Sequence, residues 1–139
     1  MNTTEKTILG IDFGTKRIGL ALSRPGSSMA FPERVVNNTD TALLEICKVI
    51  TDEAVEVVVI GESLNLNGSD NILMSLITAF KTDLEVNNPE IDIYLEPEHY
   101  SSAQARRWQG KHKDLDAAAA SIILQAWIDR QNFGTDAAI

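Results

Sequence analysis

An unbroken β-branched run, Val-Val-Val-Ile at residues 57–60, limits the possible folds of this chain more than any other feature. A strand without alternating polar residues is typical of a sheet that is covered on both faces. Apolar residues at helical spacing precede this run in residues 40–52 and follow it in residues 73–84. We therefore expect a central strand in an α/β sheet, with helices packed on both faces of the sheet.

The other periodic segments predict a mixed sheet. Strands are expected at residues 7–13, 18–23, 30–36, 56–61 and 91–95, and helices at residues 40–52, 70–86, 101–109 and 114–132. The polar break at residues 14–17 is typical of a hairpin, and Pro32 indicates an edge position for the third strand. Three antiparallel hairpin strands followed by two crossover strands give a mixed five-stranded sheet. The inner face of the last helix is expected to carry Leu115, Ala119, Ile122, Ile123 and Ala126.

The size of the chain is that of one domain. It has 139 residues, 44% of them hydrophobic, so we expect a single domain over residues 1–139. The one cysteine, Cys47, cannot form an internal disulfide, which is typical of a reducing compartment. Because the sequence shows neither a membrane-spanning apolar run nor a signal-peptide pattern, we expect a cytoplasmic protein without membrane association.

The charge balance argues against a protein that coats nucleic acid by charge alone. The net charge is −8, from 12 basic and 20 acidic residues. This balance does not exclude a nuclease, because positive charge can be local. Four of the basic residues fall within eight positions: Arg106, Arg107, Lys111 and Lys113. This cluster is either a phosphate-binding segment or a solvated helix end with its loop.

Asp12 is an acidic residue inside an otherwise apolar strand, Ile-Leu-Gly-Ile-Asp-Phe at residues 8–13. Burial of a lone carboxylate is costly, so this position indicates a metal ion, a basic partner or an open cleft. A capping or turn role is the alternative. In α/β sheets, ligands bind where the strands end at their carboxyl termini, and Asp12 is close to such an end.

Several more carboxylates are expected at the same edge of the sheet. Glu62 follows the fourth strand, Glu96 and Glu98 follow the fifth, and Asp116 lies in the first turn of the last helix. Converging carboxylates repel one another unless cations bind between them, and Mg²⁺ takes carboxylate oxygens. Two such ions about 3.5–4 Å apart promote in-line phosphodiester hydrolysis. The alternative is that each carboxylate is only solvated, with Asp116 complementing the helix dipole.

Three motifs in this order carry a resemblance to a known family. They are Asp-Phe-Gly-Thr-Lys-Arg-Ile-Gly-Leu-Ala at residues 12–21, Gly-x-x-Leu-Asn-Leu-Asn-Gly-Ser at residues 61–69, and Asp-x-Ala-Ala with Ile-Leu-Gln within residues 116–125. Together they resemble the YqgF family, also called RuvX, over residues 7–129. That family comprises Holliday junction resolvases and pre-16S rRNA nucleases. The resemblance implies a ribonuclease H-like fold and a nuclease that depends on Mg²⁺ or Mn²⁺.

By position, the resemblance implies that Asp12, Glu98 and Asp116 are the catalytic residues and the metal ligands. The Asp-Glu-Arg motif of the family corresponds to Pro-Glu-His at residues 97–99, so an acid and an arginine are replaced here. Glu62 is either a compensating carboxylate, since RuvC-type resolvases carry an acid at the end of the corresponding strand, or a solvent-facing residue.

Lys16 and Arg17 lie in the hairpin turn beside Asp12, where they either steer a phosphodiester or form a solvated turn. We expect a nuclease that processes the 5′ end of pre-16S ribosomal RNA. The alternatives are a Holliday junction resolvase and a catalytically weakened module that binds nucleic acid during ribosome maturation. The expected partner is precursor rRNA or branched DNA, and a homodimer would suit a two-fold junction.

Overall fold

Five strands and three helices form the part of the chain that the computed structural model describes, which is residues 5–62, 72–97 and 113–137. The strands are β1 (Ile8–Phe13), β2 (Arg17–Ser23), β3 (Phe31–Asn37), β4 (Val57–Glu62) and β5 (Asp92–Pro97). The helices are α1 (Ala42–Asp52), α2 (Ile72–Asn87) and α3 (Lys113–Ala137). The short helix expected at residues 101–109 lies outside the described residues.

The strands form one sheet in the order β3-β2-β1-β4-β5. β2 pairs antiparallel with both β1 and β3, whereas β4 runs parallel to both β1 and β5. This confirms the predicted mixed sheet of three hairpin strands and two crossover strands. Pro32 lies on the edge strand β3, where a missing N–H is best tolerated.

One face of the sheet packs against α1 and α2. Its buried cluster includes Ile11 and Phe13 of β1, Ile60 of β4, Ile46 of α1 and Phe80 of α2. The rings of Phe13 and Phe80 are in contact, with 5.0 Å between their centroids. Because side chains alternate along a strand, the residues between Ile11 and Phe13 and before Ile11 face the other side of the sheet.

The opposite face packs against α3. A second buried cluster joins Ile8, Val57 and Val59 of the sheet to Leu124, Trp127 and Ile128 of the helix. The run at residues 57–60 is therefore covered on both faces, as the sequence predicts. Alternation from Ile8 places Asp12 on the α3 face as well. Within the described residues, no helix is both long enough and apolar enough to cross a membrane.

The inner face of α3 differs in part from the prediction. Ala119 and Ile123 are buried as expected, but Ile122 is 44% exposed and Ala126 is exposed as well. The helix instead buries a stripe of mixed size, made of the small Ala117 and Ala120 and the larger Leu124, Trp127 and Ile128. The physical reason is close packing, because alanines on this stripe let the helix backbone approach the sheet.

The end of β5 also differs from the prediction. The strand continues to Pro97, and its register with β4 pairs Gly61 with Glu96 and Glu62 with Pro97. Glu96 therefore lies inside the strand and not after it. This placement puts its side chain on a defined face of the sheet, which is the face covered by α3.

Candidate active site

Asp12 is the second-last residue of β1. In the β1–β2 hairpin it is paired with Gly19. Its side chain is half-buried. Such a position lowers the desolvation cost of a charged carboxylate and leaves it within reach of a ligand.

Gly19 makes room for α3 beside Asp12. A Cβ atom on Gly19 would lie 1.9 Å from the carbonyl oxygen of Asp116, so the contact requires glycine. Gly10 likewise makes room for α3 on β1, because a Cβ atom there would lie 2.6 Å from the Cβ of Leu124. The helix therefore lies directly on two strands, and its first turns bring Asp116 next to Asp12.

Arg17, the first residue of β2, binds Asp116. Its Nε donates a hydrogen bond to Oδ2 of Asp116 over 2.6 Å, and the two residues are 99 positions apart in the sequence. The side chains are 39% and 31% exposed, respectively. A cationic group is thus bound to one of the two converging carboxylates, at a place that solvent can reach.

The loop between β1 and β2 is fixed by Asn38, which follows β3. The side-chain amide of Asn38 donates to the carbonyl oxygen of Gly14 at 2.8 Å, and its backbone N–H donates to the carbonyl oxygen of Lys16 at 2.9 Å. Within the loop, the N–H of Gly14 donates to the carbonyl oxygen of Arg17 at 3.0 Å. Three hydrogen bonds therefore stabilise the backbone that carries Lys16 and Arg17.

Glu96 forms an ion pair across the α3 face of the sheet. It is 4% exposed, and its carboxylate accepts a hydrogen bond from Arg130 of α3. Close by, the ring of Tyr94 contacts that of Trp127, with 5.5 Å between centroids. These contacts join the later part of α3 to β5. The beginning of α3 packs on β2 through Asp116 and Gly19.

Asp12 and Glu96 lie on one row across the sheet. Ile11 is paired with Ile60 and Gly61 with Glu96, so the row runs from Asp12 through Gly61 to Glu96. Two strand spacings separate the ends of the row, so their Cα atoms are roughly 10 Å apart. Gly61 contributes no side chain between them. Glu96 is thus a third carboxylate on the same face, but one that Arg130 holds.

The other predicted site residues are distributed as follows. Glu62 ends β4, and alternation from Ile60 directs it to the face that carries α1 and α2. Lys16 is exposed in the hairpin loop. Lys113 is the first residue of α3. Glu98, Arg106, Arg107 and Lys111 lie outside the described residues.

The described donors fit a hard divalent cation. Among the described residues there is no group of three or more His, Cys, Asp or Glu side chains placed to hold a metal ion. Asp12 and Asp116 nevertheless lie near each other, because the backbone of Asp116 packs on Gly19, which is paired with Asp12. Mg²⁺ binds proteins through one or two carboxylates while keeping several waters. The Asp116 carboxylate is paired with a cationic group, the guanidinium of Arg17.

Three features of the site were not predicted from the sequence: the role of Gly19, the Arg17–Asp116 pair and the Glu96–Arg130 pair. Glycine inside an apolar strand is a signal of close backbone approach, and both Gly10 and Gly19 carry it. The two ion pairs have no local pattern in the sequence, because the two residues of each pair are far apart in the chain.

Solved structures of other proteins share this fold. Thermus thermophilus RuvC in complex with a Holliday junction substrate matches with a TM-score of 0.59 at 15% identity, covering 91% of this chain and 95% of that one. The fowlpox virus resolvase in complex with Holliday junction DNA matches with a TM-score of 0.59 at 12% identity, covering 90% and 98%. The comparison confirms the predicted ribonuclease H-like fold.

Sequence comparison identifies the protein family. The family model described as "RuvX: Holliday junction resolvase" matches residues 6–130. A protein of Maridesulfovibrio salexigens named "Putative pre-16S rRNA nuclease" is 38% identical, over 88% of this chain and 98% of its own length. One of Chlorobaculum tepidum with the same name is 34% identical, over 92% and 96%. The chain belongs to the RuvX family.

Proposed function

We propose that this chain is a divalent-metal-dependent nuclease that processes the 5′ end of the precursor of 16S ribosomal RNA in the cytoplasm. The observation that carries the proposal is the convergence of Asp12 and Asp116, from β1 and α3, beside Arg17 at one edge of the sheet. The choice of substrate is supported by the names of the curated relatives, which are 38% and 34% identical to this chain.

Asp12 and Asp116, together with Glu98, would hold one or two Mg²⁺ or Mn²⁺ ions. When bound, such ions activate water and stabilise the charge that develops on the phosphate, with two ions acting on opposite sides of an in-line displacement. The chain contributes the positions of the ligands. Asp12 is fixed by the strand ladder and Asp116 by a helix packed on that ladder, and sites on rigid elements hold their geometry well.

The positive residues of the chain would dock and orient the nucleic acid. Lys16 is exposed in the hairpin loop that follows the strand of Asp12. The next residue is Arg17, and the donors of its guanidinium suit phosphate oxygens. With a net charge of −8, phosphates can bind only where positive charge is concentrated. The proposed contacts are Lys16, Arg17, Arg106, Arg107, Lys111 and Lys113.

Junction resolution is the second candidate. It is favoured by the description of the family model and by the fold that the chain shares with two solved resolvases. A four-way junction is two-fold symmetric, so this activity would go with a homodimer that presents two sites. Size measurement in solution, with and without a junction, tests that arrangement.

One experiment separates these functions. Purified protein is incubated with labelled precursor rRNA and with four-way junction DNA, each with Mn²⁺ or with EDTA. We expect cleavage of the RNA with Mn²⁺ and none with EDTA, and none by the Asp12→Asn variant. Cleavage of the junction alone would favour resolution. Binding of either substrate without cleavage in Mn²⁺ would overturn the nuclease proposal and favour a non-catalytic module.

A further inference from the structure

The contact between Arg17 and Asp116 bears on how a metal ion enters the site. A guanidinium and a divalent cation bind the same carboxylate oxygens, so they compete for Asp116. We propose that Arg17 is a competing counter-ion: it neutralises Asp116 in the metal-free protein and releases this carboxylate when a divalent ion binds. The inference rests on the proposed function only in taking Asp116 as a metal ligand.

The exposure of the pair makes such a release possible. With side chains that are 39% and 31% exposed, Arg17 and Asp116 form an ion pair that water can solvate when it opens. Pairs of this kind are weak, whereas a fully buried pair would resist separation. In the pair of Glu96 with Arg130, by contrast, the Glu96 side chain is only 5% exposed although that of Arg130 is 57% exposed, so solvent reaches the Glu96 carboxylate far less than that of Asp116.

After release, the Arg17 side chain moves while its backbone stays in place. Arg17 is paired with Asn37 of β3, and its carbonyl oxygen accepts the N–H of Gly14. The freed guanidinium therefore remains at the edge of the sheet where Asp12 lies. A planar donor group at that position suits a phosphodiester oxygen. In this proposal Arg17 first neutralises Asp116, as a positioning residue. After the release it donates hydrogen bonds to the substrate.

The test is calorimetric titration of metal-free protein with Mn²⁺ in the absence of nucleic acid, for wild type, Arg17→Met and Arg17→Lys. If Arg17 competes with the metal, Arg17→Met binds Mn²⁺ about fivefold more tightly, which corresponds to about 1 kcal/mol. Arg17→Lys keeps the charge but not the planar group, so its affinity should lie between the two. A purely structural Arg17 gives the opposite sign, because its loss would loosen the site and weaken Mn²⁺ binding.

Two control variants separate competition from a general charge effect. Lys16→Met removes the same charge from the neighbouring residue, and we expect less than half the gain seen in Arg17→Met. Arg24→Met removes a distant ion pair with Glu53, also 2.6 Å long, whose hydrogen bond raises the pKa of Arg24. We expect no change in Mn²⁺ affinity for that variant. Thermal unfolding of each variant without metal checks that it folds.

Each outcome decides the inference. Tighter Mn²⁺ binding by Arg17→Met than by both wild type and Lys16→Met supports it, including the case in which wild type binds too weakly to titrate. Equal gains in Arg17→Met and Lys16→Met, an unchanged or weaker affinity, or no binding by any variant overturns it. A protein that shows this competition but cuts neither RNA nor junction DNA retains the inference and loses the proposed nuclease function.

Discussion

The carbonyl oxygen of Asp116 occupies the space that a Cβ atom of Gly19 would need, with only 1.9 Å between the two positions. Gly19 is paired with Asp12 on the adjacent strand. The absence of a side chain at Gly19 therefore sets how closely the backbone of Asp116 approaches the strand pair of Gly19 and Asp12. Any change at Gly19 should affect the stability of the fold and the geometry of the site together.

Gly19→Ala is expected to displace the beginning of α3. Overpacking against a backbone atom should lower the free energy of unfolding by about 2–3 kcal/mol. Gly10→Ala is the matched control, because its Cβ would collide with Leu124 at 2.6 Å, away from the carboxylates. Denaturant unfolding should reveal a loss in both variants, and Mn²⁺ titration a larger loss of affinity in Gly19→Ala. Wild-type Mn²⁺ affinity in Gly19→Ala would contradict this account of the site.

Asp12→Asn should abolish metal-dependent cleavage while the fold is retained. The substitution removes a ligand charge together with the desolvation cost of a charge at a half-buried position, so the unfolding midpoint without metal should not fall. Cleavage of the best substrate in Mn²⁺ and thermal unfolding in EDTA check the two parts. The control is Asp52→Asn, which changes an exposed aspartate of α1 that is paired with Lys48. A wild-type cleavage rate in Asp12→Asn would exclude the proposed site.

Substitution of Glu96 should lower stability, whereas substitution of Glu98 should lower Mn²⁺ affinity. Glu96→Gln weakens a charge-assisted bond with Arg130 in a buried position, so the free energy of unfolding should fall by about 1–3 kcal/mol with little change in Mn²⁺ affinity. Glu98→Gln should lose most of the Mn²⁺ affinity and little stability. Glu62→Gln should leave Mn²⁺ affinity unchanged, because alternation along β4 directs Glu62 to the face of the sheet opposite Asp12. Unchanged Mn²⁺ binding in Glu98→Gln would remove that residue from the site.

Asn38→Ala should loosen the loop that carries Lys16 and Arg17. Loss of its 2.8 Å hydrogen bond to Gly14 should lower the free energy of unfolding, and about 1 kcal/mol is typical for one such bond. Hydrogen exchange of the Gly14 amide should become faster than global unfolding explains. Asn88→Ala, which loses a 3.0 Å bond to the carbonyl oxygen of Leu84, is the control with a similar loss elsewhere. Equal exchange at Gly14 in the two variants would contradict the prediction.

Nucleic-acid binding should be salt-sensitive and should depend on Arg106 and Arg107. Reversing both charges, in a protein whose net charge is already −8, should weaken binding and flatten the dependence of affinity on salt. Affinity for precursor rRNA is measured at several salt concentrations for the wild type and for the variant with both residues changed to Glu. If affinity and salt slope stay unchanged, the phosphates bind elsewhere, and Lys16 is the next residue to test.

Local periodicity predicted most of the fold. The β-branched run at residues 57–60 is typical of a covered strand, and the structure places β4 between β1 and β5 with helices on both faces. The hairpin at Gly14 and the edge position of Pro32 follow from turn chemistry and from a missing N–H, which are also local properties. These features need no knowledge of distant contacts.

The rotation of α3 and its ion pairs could not be predicted in this way. Periodicity placed Ile122 on the inner face, yet the helix turns that residue outward. The reason is that the side of the helix with Ala120 and Leu124 packs closely over Gly10. The pairing of Glu96 with Arg130 likewise depends on where the helix crosses β5. Such contacts join residues that are far apart in the chain, and their geometry follows from packing alone.

The long sequence separation within the site has a consequence for protein synthesis. Arg17 and Asp116, which meet in the folded chain, are 99 residues apart. Because a ribosome releases the N-terminal part of a chain first, the hairpin with Asp12 emerges long before α3 exists. Asp116 cannot reach Arg17 until the helix has been translated and has docked on β1 and β2. A nascent chain therefore lacks the complete proposed site until nearly all of the domain has been translated.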